Sequence, residues 1–118
     1  MAAKKFRPLS EDEAALIKRL LTAEFAGKTE IERQIASASV REIDEDGSLE
    51  FRVRSTTKAP VERRVPVEGE AEDSDGGGVH VLLHVIDGLV DELEFYKEDG
   101  SRVLKKPRPE AMRLLVLG

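Results

Sequence analysis

The chain has 118 residues, of which 36% are charged and 40% hydrophobic, with a net charge of −5 and no cysteine. A single domain of this size buries an adequate core without metals or disulfides. The absence of cysteine excludes disulfides, thiol chemistry and thiolate metal sites. The acidic balance argues against a dedicated nucleic-acid binder, which needs clustered Lys and Arg to meet phosphates.

Residues 1–8 (MAAKKFRP) are polar and basic and read as a loose arm. They lack the apolar core of a signal peptide. No apolar run in the chain approaches the length of a membrane span, so a cytoplasmic protein with no membrane partner is expected. Ser10 with Glu13 forms a capping-box pattern that opens a helix, and Ala14, Ile17, Leu21 and Phe25 recur at helical spacing. Gly27 is placed to end it. Thr29 with Glu32 repeats the capping pattern before a short second helix carrying Ile31 and Ile35.

After Ala38 the period changes from helical to alternating. Val40–Asp44 and Leu49–Arg54 flank the polar turn Glu45-Asp46-Gly47-Ser48, and Val61–Val67 alternates as a further strand, with Pro66 marking an edge or irregularity. Residues 69–78 (GEAEDSDGGG) offer no apolar anchor larger than alanine and read as a mobile acidic loop. Then comes the strongest signal in the chain, Val79–Ile86 and Leu89–Lys97 joined by Asp87-Gly88, a two-residue hairpin turn. The first arm is apolar on both faces apart from His80 and His84, as a central strand covered on two sides would be. Simple two-residue pairing sets Ile86 opposite Leu89, Leu82 opposite Leu93 and His84 opposite Asp91. Arg102–Leu104 reads as a possible further strand, and residues 109–117 fit a short helix or a strand equally well. The predicted architecture is α+β: two N-terminal helices packed on a mostly antiparallel, meandering sheet of about five strands, with the Leu82, Leu93 and Phe95 face beneath the helices.

Several patterns hint at chemistry. Gly27-Lys28-Thr29 resembles the end of a phosphate-binding loop, but position 22 is Thr where the motif needs glycine, and the segment follows a helix. Asp44–Gly47 and Asp73–Gly76 have their glycine at the wrong position for a calcium loop. His80 and His84 sit four residues apart on a strand, about 13 Å, which is too far for both rings to hold one ion. Glu92 and Glu94 lie about 7 Å apart on one strand face, a spacing that overlaps the carboxylate separation of inverting glycosidases. Exposed glutamates on strands more often keep a face wet. The basic clusters Lys4-Lys5-Arg7, Arg63-Arg64 and Lys105-Lys106-Arg108 would pool into one positive patch if the termini met.

The stretch Arg41-Glu42-Ile43-Asp44-Glu45-Asp46-Gly47-Ser48-Leu49-Glu50-Phe51 resembles a family of uncharacterised bacterial domains. The likeness extends from Phe6-Arg7-Pro8-Leu9 through Arg64-Val65-Pro66-Val67-Glu68 to Leu83-His84-Val85-Ile86-Asp87-Gly88 and Leu93-Glu94. It spans most of the chain and implies no reaction, ligand or catalytic residue. The hairpin is also similar to those of some small proteins encoded near bacterial toxins.

No catalytic set, cofactor or metal is expected. The leading expectation is a non-enzymatic protein-binding module, regulatory or immunity-like, that binds through His80, His84, Asp91, Glu92, Glu94 and Tyr96. The competing one is a small-molecule-binding domain or enzyme with a pocket between helices and sheet, using His84, Asp91 or Glu92. Self-association ranks third. A deep pocket would favour the second reading and a flat charged sheet face the first.

Overall fold

The computed structural model describes residues 4–118. In chain order the elements are β1 (Arg7–Pro8), α1 (Glu11–Leu20), α2 (Lys28–Ala36), β2 (Ser39–Glu42), β3 (Leu49–Arg52), β4 (Val67–Glu72), β5 (Gly78–Ile86), β6 (Leu89–Lys97), a 3-10 turn (Pro109–Ala111) and β7 (Arg113–Val116). The class is α+β, but the antiparallel sheet has seven strands, ordered β1-β2-β3-β6-β5-β4-β7.

The capping box forms as expected. The Glu13 N–H donates to Ser10 Oγ at 3.2 Å, and the Ser10 N–H donates to Glu13 Oε1 at 2.8 Å. Arg7 then grips both Glu13 oxygens, each at 2.8 Å, so the first strand and the first helix turn are locked together. The supposed loose arm is therefore strand from Arg7. Before it, Phe6 lies between the guanidinium groups of Arg41 and Arg52. Residues 1–3 of that arm lie outside the described residues. The second helix differs from its sequence reading: its N-cap is Gly27, at φ 93°, with no side-chain cap, so Thr29 lies inside the helix.

Leu16, Ile17, Leu20 and Ile31 from the helices are at most 3% exposed and pack into one cluster with Val40, Leu49, Val67, Val81, Leu83, Leu93 and Phe95 of the sheet. The sheet face beneath the helices is thus set by Leu83 and not by Leu82. The cause is a bulge. Ile86 pairs with Leu89 and Val85 with Val90 as expected, but His84 then pairs with Glu92, Leu83 with Leu93 and Leu82 with Glu94. Asp91 is the extra residue, unpaired in that register, which rejects the His84–Asp91 pairing. Val90 lies beyond the end of the β3–β6 ladder, and its N–H is taken by Oε1 of the buried Gln34 on α2 at 2.8 Å. The Gln34 amide in turn donates to the Thr57 and Gly88 carbonyls. One helix side chain thus holds the hairpin turn, where Asp87 (φ 51°) and Gly88 (φ 77°) adopt the left-handed conformations a two-residue turn requires.

Strand β5 is central in pairing, yet only one of its faces is covered: Val79, Val81, Leu83 and Val85 are buried, while His80, Leu82 and His84 alternate with them on a partly solvated face. Half of the supposed acidic loop is also strand. Residues 67–72 pair with β5 on one side and β7 on the other, leaving only 73–77 as a turn. Its inward residues are small because the helix layer comes close: a Cβ on Gly69 would meet Met112 Sδ at 2.8 Å and Leu20 Cδ2 at 3.2 Å. Conversely, 61–66 and 102–104 are not strand, and residues 109–117 resolve into the 3-10 turn followed by β7. No helix among the described residues is long and apolar enough to cross a membrane.

Two outcomes follow from these contacts. The Arg7 fork and the Ser10 N–H hold the Glu13 carboxyl at about 2, below its usual 4.5, against an opposing push from burial. A depressed folded value stabilises the fold above the unfolded value, and that contribution is lost as pH falls from about 4.5 towards about 2. Because Arg7 is 40% exposed, the expected size is only about 1–2 kcal/mol. Urea midpoints of the native protein and Glu13→Gln should differ at pH 7 and converge by about pH 2. A gap that stays constant would remove the ionic contribution. The bulge makes a second, sharper statement: deleting Asp91 leaves every other β5–β6 pair and face in place, whereas deleting Glu94 turns Phe95 outwards. Deletion of Asp91 should give a folded domain within about 2 kcal/mol of the parent, and deletion of Glu94 an unfolded chain by circular dichroism. Equal damage from both would reject the bulge.

Candidate functional site

The face of the sheet turned away from the helices gathers most of the residues singled out in the sequence. On β4 the alternation Val67, Gly69, Ala71 inward sends Glu68 and Glu70 outward. β5 contributes His80, Leu82, His84 and Ile86, and β6 beyond the bulge contributes Glu92, Glu94 and Tyr96. Cross-strand pairing aligns these in rows: Glu70, His80 and Tyr96; Glu68, Leu82 and Glu94; His84, Glu92 and then Glu50 on β3. Neighbouring side chains in such rows are within contact reach.

The His80 ring stacks on Tyr96 with centroids 4.8 Å apart and planes 11° from parallel. Its two nitrogens both face carboxylates: Nδ1 is 2.9 Å from Glu68 and 3.8 Å from Glu70, and Nε2 is 2.8 Å from Glu98. Burial alone would lower its pKa, but the bonds to Glu68 and Glu98 and the nearby charges outweigh that and raise it. His84 is held differently. Arg64 Nε donates to Nδ1 at 3.0 Å, which leaves the ring proton on Nε2, 2.8 Å from Glu94. Glu92, opposite His84, is pushed up by burial and by the negative charges of Glu94, Asp91 and Asp44, despite the pull of His84. Tyr96 is raised by burial and by the same acidic surroundings.

Two groups on this face have metal-ligating composition, Glu68 with Glu70 and His80, and His84 with Glu92 and Glu94. In each the ligand atoms lie within 4.8 Å of one another. His80 and His84 thus belong to separate clusters. Asp91 and Tyr96 belong to neither: Asp91 forms the bulge, and Tyr96 stacks on His80. The sequence reading missed Glu68, Glu70, Glu98 and Arg64. The alternation in VEGEAE was the available signal for the first two, masked by the glycine and alanine at its inward positions.

A further ionic cluster is built on a deeply buried pair, Asp73 and Lys97. Lys97 Nζ lies 3.1 Å from Asp73 and 2.6 Å from Asp75, and the Asp73 carboxylate also accepts the N–H groups of Ser74, Leu104 and Lys105. The Asp73 and Lys97 side chains are at most 1% exposed and Asp75 caps them from the solvent side, so the cluster ties loops together. The basic clusters are partly paired within the fold. Lys4 and Arg7 are held by Glu42 and Glu13, and Arg64 by His84, with β1 and β7 on opposite edges of the sheet.

Five surface hollows of about 340 to 650 Å³ are lined by residues other than His84, Asp91 and Glu92. The largest of these five is an open, charged hollow at the β2–β3 end, between Lys4, Arg41, Glu45 and Arg102. Helices and sheet meet through filled apolar packing.

No curated protein and no solved structure matches the chain. A family model does match, over residues 6–107, and by that match the chain belongs to the family described as Domain of unknown function (DUF6984).

Proposed function

We propose that this protein is a non-enzymatic binding module that engages a basic protein surface through the open face of β4, β5 and β6. The observation that carries this reading is the composition of that face: Glu68, Glu70, Glu92 and Glu94 surround two half-buried imidazoles and Tyr96, with Leu82, Ile86 and Leu115 interspersed. Ile86 is 37% and Leu115 48% exposed, so apolar contact area lies within an acidic frame. Such a frame steers and orients a cationic partner, and a Tyr-containing centre supplies contact area at small entropic cost. A regulatory or immunity-like protein that works by masking a basic surface on its target needs this kind of face. The rival reading, a small-molecule or catalytic pocket between helices and sheet, loses support because that layer is filled and the hollows avoid His84, Asp91 and Glu92.

The test compares capture of partners from cells that carry the protein by the native chain, by the double variant Glu92→Lys/Glu94→Lys, and by Glu32→Lys on α2. A basic protein should be retained by the native chain and by Glu32→Lys and lost from the double variant. Reconstituted from purified components, its affinity should fall at least tenfold in the double variant and weaken as salt rises. Retention by all three, or equal loss from Glu32→Lys, overturns the reading.

A further inference from the structure

We propose that Glu68, Glu70 and His80 form a binding site for one divalent transition-metal ion, with Nδ1 of His80 and one oxygen of each carboxylate as ligands and Glu98 fixing the imidazole. The first argument is placement. Glu70 and His80 are cross-strand partners, and Glu68 lies two residues along β4 on the same face, so all three stand on paired central strands. The Glu68 oxygen is 2.9 Å and the Glu70 oxygen 3.8 Å from Nδ1, with the whole set inside 4.8 Å. Bonds of about 2.1 Å at tetrahedral or octahedral angles require ligand atoms roughly 3–3.5 Å apart. Small rotations of the two glutamates meet that requirement.

The second argument is the ring itself. A metal-bound histidine commonly donates its other N–H to a carboxylate, which fixes tautomer and orientation. Glu98 stands 2.8 Å from Nε2, and Tyr96 stacks flat against the ring, so the imidazole is held with Nδ1 towards Glu68 and Glu70. The third is charge. Three carboxylates converge on one imidazole, with the His80 and Glu68 side chains only 12% and 13% exposed. The guanidinium nearby is that of Arg113, 3.6 Å from Glu70 and 74% exposed. Even with His80 protonated, the cluster therefore carries excess negative charge. A dication in place of the Nδ1 proton offsets it.

The companion cluster is a poorer host. His84 Nδ1 receives the Arg64 N–H, so the nitrogen facing Glu94 bears the proton, and a cation there would share its site with a guanidinium. One imidazole with two carboxylates and no thiolate suits zinc, cobalt or manganese. Three protein ligands leave a position open for water or for a carboxylate of a docking protein.

The experiment uses the full chain, stripped with a chelator and then freed of it, titrated with zinc chloride by calorimetry and with cobalt chloride by visible absorption. One equivalent should bind, with cobalt d–d bands appearing and the unfolding midpoint rising with zinc. Glu70→Gln, a partly exposed position where folding is not at stake, and His80→Gln should each weaken binding more than tenfold. Glu98→Gln should weaken it about ten- to a hundredfold, and His84→Gln should leave it unchanged. Absence of one-equivalent binding, or binding that survives Glu70→Gln and His80→Gln, or binding lost in His84→Gln, overturns the site.

Discussion

The arrangement of this protein depends on one irregularity, the extra residue Asp91 in β6. Strand side chains alternate with a strict period of two, so one inserted residue transfers everything beyond it to the opposite face. Val90 is buried on the near side of the bulge and Leu93, Phe95 and Lys97 on the far side, while Glu92, Glu94 and Tyr96 share the open face with His80 and His84. An unbroken ladder anchored at the same turn would aim Glu92, Glu94 and Tyr96 at α1 and α2. Burying two carboxylates without partners would cost several kcal/mol, so the core and the acidic face are specified together. Gln34 makes the bulged segment tolerable. It supplies the acceptor that Val90, past the end of β3, does not find in a strand. A buried N–H without that acceptor would cost about 1–3 kcal/mol.

A second constraint follows from the same parity. Lys97 falls on the covered face, and a buried ammonium is tolerable only when paired. Asp73 and Asp75 in the β4–β5 turn provide that pairing, and the Asp73 carboxylate is held below its usual range, with the Leu104 N–H the leading cause against the opposing effect of burial. Because Asp73 also receives the Lys105 N–H, it fixes the irregular segment 98–105 with no strand or helix there. Ser48 acts similarly on the other side of β6, its hydroxyl accepting the Phe95 N–H at 2.9 Å. Buried polar groups here determine where loops go, and each named one is satisfied.

How much of this was legible depends on whether a signal was local. The Ser10–Glu13 capping box and the Asp87-Gly88 turn rest on a few adjacent residues, and both appear as read. The α+β class followed from periods that change near Ala38. Features set by distant partners were not legible. Strand β4 looks like a loop because Gly69, which faces Leu20 and Met112, and the buried Ala71 are small, so the residues that make it packable hide its alternation. The bulge leaves no composition cue, since DELEF alternates acceptably in either register. Strand β7 exists because β4 offers it an edge. For the site, five of the six residues read from the sequence do share one face. Their grouping required knowing that β4 lies beside β5, which is how Glu68 and Glu70 reach His80.

The cost of that face is itself informative. Glu68 and Glu70 on β4 and Glu92 and Glu94 on β6 flank β5 on one face, and Glu92 stands directly opposite Glu50 of β3, a like-charge pairing that is destabilising. The opposite behaviour is seen at the sheet's other end, where Arg41 pairs with Glu50 at 2.5 Å and Arg7 and Lys4 with Glu42. The same chain thus alternates charge signs over β1 to β3 and concentrates one sign over β4 to β6. Solubility alone would be served as well by interspersed lysines. Local departures from charge consistency are expected at functional sites and are offset elsewhere. On the proposed function a cationic partner would supply that offset over β4 to β6, beside the guanidinium groups of Arg64 at His84 and Arg113 at Glu70.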